Sequence, residues 1–115
     1  MPNLMRNSYH DQVLEKFCSE IQYFTGILGF APLRIGKNMQ LGSAGEIDVL
    51  LYGEDQRALV EVKSHGGLIR KFTEKQFHIY HDYDPKAAIY LLLGNSEKSL
   101  EPEDFHFKRY WPLSE

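Results

Sequence analysis

The sequence predicts an α/β fold in a single domain that spans residues 1–115. Three observations lead to this prediction: an amphipathic helix precedes two apolar strands, a second helix follows them, and a continuous apolar run comes last. A chain of 115 residues has the size of one ordinary domain, and its hydrophobic content of 43% is enough to bury one core.

The first predicted element is a helix over residues 8–25. Ser8 and Asp11 have the spacing of a capping box with Asp in the third position. Apolar residues then recur at steps of three or four, which is typical of one buried helix face. This stripe consists of Leu14, Phe17, Cys18, Ile21 and Phe24. Gly26 or Gly29 is expected to end the helix.

The strands are predicted from short apolar runs that are bounded by turn residues. Residues 30–35 are expected to form the first strand, and the polar, glycine-rich segment 36–45 is expected to be a loop. The next two strands form a predicted hairpin, in which residues 49–52 run out, residues 53–56 turn and residues 57–62 run back.

The second half of the chain continues with a predicted helix over residues 70–83, which stops before Asp84-Pro85. Residues 87–93 are continuously apolar and therefore predict a buried strand. The tail, residues 105–111, alternates aromatic and basic side chains. It is either an edge strand or a contact between two subunits.

Charged residues lie at the ends of the two hairpin strands. Because strand side chains alternate, Glu61 and Lys63 share one face while Val60 and Val62 point to the other. If the hairpin forms, Asp48 lies close to Glu61. Two carboxylates and one ammonium group then converge at one edge of the sheet, an arrangement that suits a hard divalent cation and a water activated on it.

A Glu-x-Lys pair at the end of a strand is more often a pair of solvated surface groups. Two observations favour chemistry here. Both strands are apolar almost throughout, as expected for buried central strands. The acidic groups also stand at strand termini, where a buried sheet opens to solvent.

The pattern of Asp48, twelve further residues and Glu61-x-Lys63 resembles the motif of the PD-(D/E)XK nuclease superfamily. The segments Gly-Glu-Ile-Asp-Val-Leu and Val-Glu-Val-Lys are most similar to its archaeal-type Holliday junction resolvase branch, and the resemblance runs from about residue 10 to about residue 93. Ile47 stands where the motif has Pro, a residue that carries no chemistry. The resemblance implies a restriction-endonuclease-like αβββαβ core, with a mixed central sheet flanked by helices, and Mg²⁺- or Mn²⁺-dependent hydrolysis of DNA, preferably branched DNA.

The chemistry of phosphodiester hydrolysis gives each motif residue an expected role. Asp48 and Glu61 would ligate Mg²⁺ or Mn²⁺ through oxygen, and the backbone carbonyl of Val62 would be a further ligand. Lys63 would orient the attacking water and stabilise negative charge on the phosphate, because an ammonium group between two carboxylates suits an electrostatic role.

The resemblance also implies an acidic metal ligand from the first helix. Glu20 is favoured because it flanks the apolar stripe, and Glu15 is the alternative because of its distance to Gly26. Asp11 is a weaker candidate. Each of these residues could equally be an ordinary solvated helix charge.

Further site residues are expected around the motif. Gln76 lies thirteen residues after Lys63, at a position where similar proteins often carry a polar residue near the metal-bound water. Candidate DNA contacts come from two loops and from a basic cluster in the predicted second helix. These candidates are Ser43, His65, Arg70 and Lys71.

The net charge of −3 and the pI of about 5.9 run against the basic character typical of nucleic-acid-binding proteins. Basic residues are clustered, however, and bound cations would offset some of the acids. Two alternatives to a junction resolvase therefore stay open: another nuclease of the same fold, of restriction, phage or repair type, or a non-catalytic module that binds nucleic acid or protein.

Partners and location follow from the size and composition of the chain. A small unit of this kind leaves an apolar face uncovered, so a homodimer is expected. The sequence has no apolar stretch of about 18 residues and no signal-peptide pattern at its start, so no membrane partner and a cytoplasmic location are expected.

Overall fold

The computed structural model describes residues 8–64 and 74–112. Its strands form one five-stranded sheet in the order β1-β2-β3-β4-β5. The strands are β1 (Arg34–Gln40), β2 (Glu46–Tyr52), β3 (Arg57–Lys63), β4 (Ala88–Leu93) and β5 (His106–Trp111). The helices are α1 (Tyr9–Ser19), α2 (Thr25–Leu28) and α3 (Glu74–Tyr83). The predicted α/β class is confirmed.

The sheet is mixed. Strands β1, β2 and β3 are antiparallel neighbours, β3 and β4 are parallel, and β5 runs antiparallel to β4. The parallel pair requires a crossover connection, and the chain between β3 and β4 contains α3. The predicted hairpin is confirmed, with Val49 opposite Val60 and a tight turn in which Gly53 N–H donates to the Gln56 carbonyl at 2.8 Å.

The first strand lies four residues later than the sequence predicts. The predicted strand over residues 30–35 is wrong in its bounds, and residues 36–40, expected to be a loop, belong to β1. The reason is exposure: β1 is an edge strand with no fully buried residue, so its composition is polar like that of a loop. Only Gly42–Ala44 forms a turn before β2.

The first helix begins as predicted but ends early. Ser8 Oγ accepts a hydrogen bond from the Asp11 N–H at 3.2 Å, which confirms the N-cap. At Glu20 the backbone leaves the helical region, with φ −114° and ψ 35°. A 3₁₀ turn (Ile21–Phe24) and α2 follow, and Gly29 ends α2 in the left-handed region at φ 83°. Despite this break, Phe24 and Leu28 pack into the same core as α1, so the apolar stripe still contributes to one core.

Helices cover both faces of the sheet. On one face, α1 and α2 pack side chains such as Phe17 and Leu28 in one core with Val60 and Leu92. On the other face, α3 packs Tyr80 among a second cluster. The remaining buried members of that cluster are Ile47, Leu50, Leu59, Ala87, Ile89 and Leu91. Strand β4 is buried on both faces, as its continuous apolar run predicts.

Two further predicted elements are the second helix and the tail. The predicted second helix is observed from Glu74 to Tyr83, and residues 70–73 lie outside the described part of the chain. Of the two readings of the tail, the edge strand is observed, because β5 pairs only with β4. No helix within residues 8–64 and 74–112 is long and apolar enough to cross a membrane.

The ends of β3 and β4 are fixed by the first turn of α1. Gly94 N–H donates to the Lys63 carbonyl at 3.0 Å. The Tyr9 hydroxyl donates to the Ser99 carbonyl at 2.5 Å and accepts from the Asn95 N–H at 3.0 Å. A Cβ at position 94 would lie 2.5 Å from the carbonyl oxygen of Ser64 and 2.6 Å from Cε2 of Tyr9, so this junction requires glycine.

We expect Gly94→Ala to lower the free energy of unfolding by about 2 kcal/mol or more, because the added methyl overlaps the Ser64 carbonyl and the Tyr9 ring. Gly26→Ala is the matched control: a Cβ there meets nothing within 4 Å, and stability should stay the same or rise by up to about 1 kcal/mol. Urea unfolding measures both values. Similar losses in the two variants would contradict the close packing at position 94.

Candidate functional site

A cleft of about 490 Å³ opens where β2 separates from β3. The register of β2 and β3 ends at the pair Val49 and Val60, and the residues of β2 before this point pair with β1 alone. Polar and charged side chains line the gap. The lining residues are His10, Glu46, Asp48, Glu61, Val62, Lys63, Ser64 and Gln76.

The Asp48 side chain bridges β2 and β3 where the two strands separate. Its side chain replaces the missing backbone pairing, because Oδ2 accepts a hydrogen bond from the Val62 N–H at 2.9 Å. Only 8% of Asp48 is exposed. The sequence prediction that Asp48 lies near the end of β3 therefore agrees with the observed geometry.

Glu61 is buried beside Asp48, with 5% of its surface exposed. Its Oε2 pairs with Lys63 Nζ at 2.9 Å, as expected for residues two apart on one strand face. Its Oε1 accepts a hydrogen bond from the Tyr80 hydroxyl at 2.5 Å. Burial and the nearby Asp48 charge raise the pKa of Glu61 above its ordinary value, although Lys63 and Tyr80 oppose this rise.

Tyr80 joins the two acidic residues and was not identified from the sequence. Its hydroxyl donates to Glu61 and accepts from the Asp48 N–H at 3.3 Å. Burial, together with the two carboxylates, raises the pKa of Tyr80 far above its usual value, so the phenol keeps its proton. The available signal was its position four residues after Gln76, which places both side chains on one face of α3.

His10 is the second residue that sequence reasoning missed. Its Nε2 lies 3.0 Å from the Val62 carbonyl oxygen and 3.6 Å from Oδ2 of Asp48. Interaction with the Asp48 carboxylate raises the pKa of His10 to about 9, although burial opposes this. The signal was again periodicity: His10 precedes Val13 and Leu14 by three and four residues, so it continues the buried face of α1.

The acidic residues expected from the first helix do not line the cleft. Glu20 lies at the C-cap of α1 and pairs with Lys16 at 3.8 Å. Glu15 pairs with Lys37 at 3.0 Å, and both acidic side chains are at least half exposed. The cleft is beside the first turn of α1, and ten residues of helix separate Glu20 from His10, about 15 Å. The residue that α1 places at the site is therefore a histidine.

Of the other predicted site residues, Gln76 lines the cleft. Glu46 also lines it, although it was not predicted as a site residue, and it accepts a hydrogen bond from Gln40 Nε2 at 2.7 Å. Ser43 lies in the exposed turn that leads into β2 and does not line the cleft. The three remaining candidates lie outside the described residues. They are His65, Arg70 and Lys71.

The cleft contains oxygen atoms of the kind that bind divalent cations. Within the described ranges, no group of three or more His, Cys, Asp or Glu side chains forms a ready metal cluster. The cleft offers the carboxylates of Asp48 and Glu61 and the carbonyl of Val62, which His10 already contacts. Mg²⁺ commonly uses one or two protein carboxylates and keeps several waters, so this oxygen set fits Mg²⁺.

Comparison with known proteins identifies no relative of this chain. No protein-family model matches it, and neither does any curated protein or any solved structure.

The raised pKa of Glu61 gives a pH prediction for the metal-free protein. Because the pKa of Glu61 is raised when the chain folds, the folded state holds this proton more tightly than the unfolded chain does. The free energy of unfolding contributed by Glu61 therefore falls as the pH rises above about 4.5. We expect Glu61→Gln to gain stability relative to wild type over this interval.

Urea unfolding between about pH 4 and pH 8, with EDTA present, measures this difference. The exposed Glu103 provides the matched control, and Glu103→Gln should follow wild type at every pH. A difference between Glu61→Gln and wild type that stays constant with pH would show that Glu61 titrates normally in the folded state.

Proposed function

We propose that this protein is a metal-dependent endonuclease that hydrolyses phosphodiester bonds in DNA. One observation carries the proposal: two buried carboxylates, Asp48 and Glu61, meet in a solvent-open polar cleft beside the ammonium group of Lys63. Oxygen ligands for a divalent cation and a cation for a phosphate are thus present in one place.

The stability cost of burying two carboxylates side by side supports a functional role for them. Packing two acidic side chains together costs stability, because burial and mutual repulsion both disfavour the charged forms. Asp48 and Glu61 are nevertheless the two buried charged residues of the described core. Groups that cost stability in this way are concentrated at functional sites.

The order of the elements is compatible with a restriction-endonuclease-like core, which we include in the proposal. From α1 to β4 the chain runs helix, three strands, helix, strand, with short helical segments between α1 and β1. Strand β5 extends the sheet beyond this core. The carboxylates lie where the hairpin of β2 and β3 opens, and this position supports the proposal.

In the proposed reaction, Asp48, Glu61 and the Val62 carbonyl hold Mg²⁺ or Mn²⁺. When bound, the ion would supply an activated water and neutralise charge on the scissile phosphate. Lys63 lies 2.9 Å from Glu61, and its ammonium group stabilises negative charge that develops on the phosphate. Gln76, which lines the same cleft, orients the attacking water.

Tyr80 and His10 hold in place the residues that are proposed to bind the metal ion. Tyr80 fixes one oxygen of Glu61 and the backbone of Asp48, so the two carboxylates keep their relative positions. His10 holds the Val62 peptide from its carbonyl side, while Asp48 holds the same residue from its N–H side. These contacts preorganise the site before substrate binds.

The substrate and assembly complete the proposal. A branched DNA such as a Holliday junction is the substrate that the sequence resemblance implies. A homodimer would give two cleavage sites for two strands. Strand β5 is an edge of the sheet, and Trp111 on it is 39% exposed, so this edge offers a contact surface for the second subunit.

Cleavage of end-labelled DNA tests the proposal. A four-way junction and a matched linear duplex are incubated with Mg²⁺, Mn²⁺ or EDTA, using wild type and Glu61→Gln. We expect metal-dependent paired nicks near the branch that disappear in the variant. Metal-dependent cutting of every substrate would support the nuclease activity and contradict a preference for junctions. Junction binding without cleavage in either metal would indicate the non-catalytic module instead.

Substitutions at the cleft should separate its residues from the helix acids. Asp48→Asn should abolish cleavage, and Lys63→Ala should reduce the rate by about 10²–10³, the usual loss when one transition-state-stabilising group is removed. Glu20→Gln and Glu15→Gln are matched controls, since both residues lie in exposed ion pairs. Single-turnover rates measure all four. A rate in Glu20→Gln as low as that of Asp48→Asn would contradict the assigned site.

A further inference from the structure

A second cavity, of about 330 Å³, lies at the opposite end of the sheet. It is formed where β3 and β4 begin and where β5 ends. Arg57, at the start of β3, lines it, whereas Lys63, six residues further along β3, lines the cleft described above. At about 3.3 Å per residue Arg57 and Lys63 are ~20 Å apart, and the two sites share no lining residue, so they are separate.

The inner wall of this cavity is aromatic. Tyr90 is 2% exposed, and its hydroxyl donates to the Leu28 carbonyl at 3.3 Å. The half-buried ring of Phe30 lies against the backbone of Gly53, where an added Cβ would be 2.6 Å from Cδ2 of the ring. Glycine at position 53 therefore leaves room for the Phe30 ring in the wall.

The rim is positively charged. Asp84 binds Arg57 through two contacts, Nε to Oδ2 at 2.5 Å and Nη2 to Oδ1 at 2.9 Å, and it also accepts the Lys86 N–H at 3.2 Å. Arg57 is therefore neutralised and held. Lys86 and Arg109 form no ion pair with any acidic residue of the described chain.

Charge complementarity therefore favours an anionic ligand. Asp55 is the single acidic residue among those lining the cavity, against two basic residues without an ion pair in the described chain, Lys86 and Arg109, although the whole chain has a net charge of −3. A cationic rim above an aromatic wall matches a ligand with a phosphate at one end and a flat ring at the other. The volume is at the lower end of the ~300–1,000 Å³ range of small-molecule sites.

We propose that this cavity binds one mononucleotide unit. Its phosphate pairs with Lys86 and Arg109, and its base packs against Phe30. The unit is either a free nucleotide or the 5′-phosphorylated terminal nucleotide of a strand, because both present the same phosphate and ring. The site does not depend on the carboxylates of the cleft.

Binding of AMP, measured by calorimetry and by amide chemical shifts, tests the proposal. We expect saturable binding to wild type with a Kd below about 1 mM, and at least ~10-fold weaker binding to Arg109→Gln and Lys86→Gln, because each loses one charge-assisted contact. Lys108→Gln is the matched control: Lys108 is the exposed neighbour of Arg109 on β5 but does not line the cavity. It should bind AMP like wild type.

Further ligands test whether both the phosphate and the base contribute to binding. They also test whether the ligand is a free nucleotide or the end of a strand. Inorganic phosphate and adenosine should each bind at least ~10-fold more weakly than AMP. A 5′-phosphorylated trinucleotide that binds more tightly than AMP would identify a strand end as the ligand, and AMP binding more tightly would identify a free nucleotide. Phosphate binding as tightly as AMP would overturn the nucleotide assignment, and so would the absence of saturation by AMP up to about 10 mM.

The variant Glu61→Gln separates this proposal from the nuclease proposal. It should bind AMP with wild-type affinity, because Glu61 does not line this cavity and lies ~13 Å along β3 from Arg57. Loss of AMP binding in this variant would place the nucleotide in the cleft and overturn the second site. A failure of DNA cleavage in wild type, with AMP binding intact, would instead remove the nuclease proposal alone.

Discussion

The hydrogen bond from the Val62 N–H to the Asp48 carboxylate is the contact on which the site depends. It lies where β2 leaves β3, and it replaces the strand pairing that ends at Val49. Without it, the opening between the strands would expose an unpaired backbone N–H in a nearly buried position. With it, the sheet can open into a cleft while Asp48 and Glu61 stay side by side at its base.

Two opposing electrostatic effects meet at that base. Burial and mutual repulsion disfavour two ionised carboxylates, and the raised pKa of Glu61 records this cost. Lys63 and the Tyr80 hydroxyl offset part of it, because they contact the two oxygens of Glu61 from opposite sides. Elsewhere the fold is an ordinary two-faced apolar core, with α1 and α2 on one face and α3 on the other. A cation at the cleft would offset the remaining repulsion, so metal binding and stability should be linked.

Strand periodicity was sufficient to predict the convergence of Asp48, Glu61 and Lys63, because a hairpin with a four-residue turn permits one register only for two buried strands. It failed for β1, where an exposed edge strand has the composition of a loop. Glu20 was chosen because it flanks the apolar stripe, but the cleft lies beside the first turn of α1, about 15 Å from the C-cap at Glu20. Periodicity placed His10 on the buried face of α1, but only the contact of its Nε2 with the Val62 carbonyl identifies it as a site residue, because a histidine on an apolar helix face is more often a simple core residue.

The most direct test of the account is binding of Mn²⁺ to metal-free wild type and to Asp48→Asn, measured by calorimetry together with thermal unfolding. We expect one Mn²⁺ per chain in wild type and a Tm that rises with Mn²⁺ concentration, because the ion binds the folded state alone. In Asp48→Asn both the heat of binding and the rise in Tm should be lost. Equal binding and an equal rise in Tm in the variant would contradict the claim that these carboxylates form a metal site.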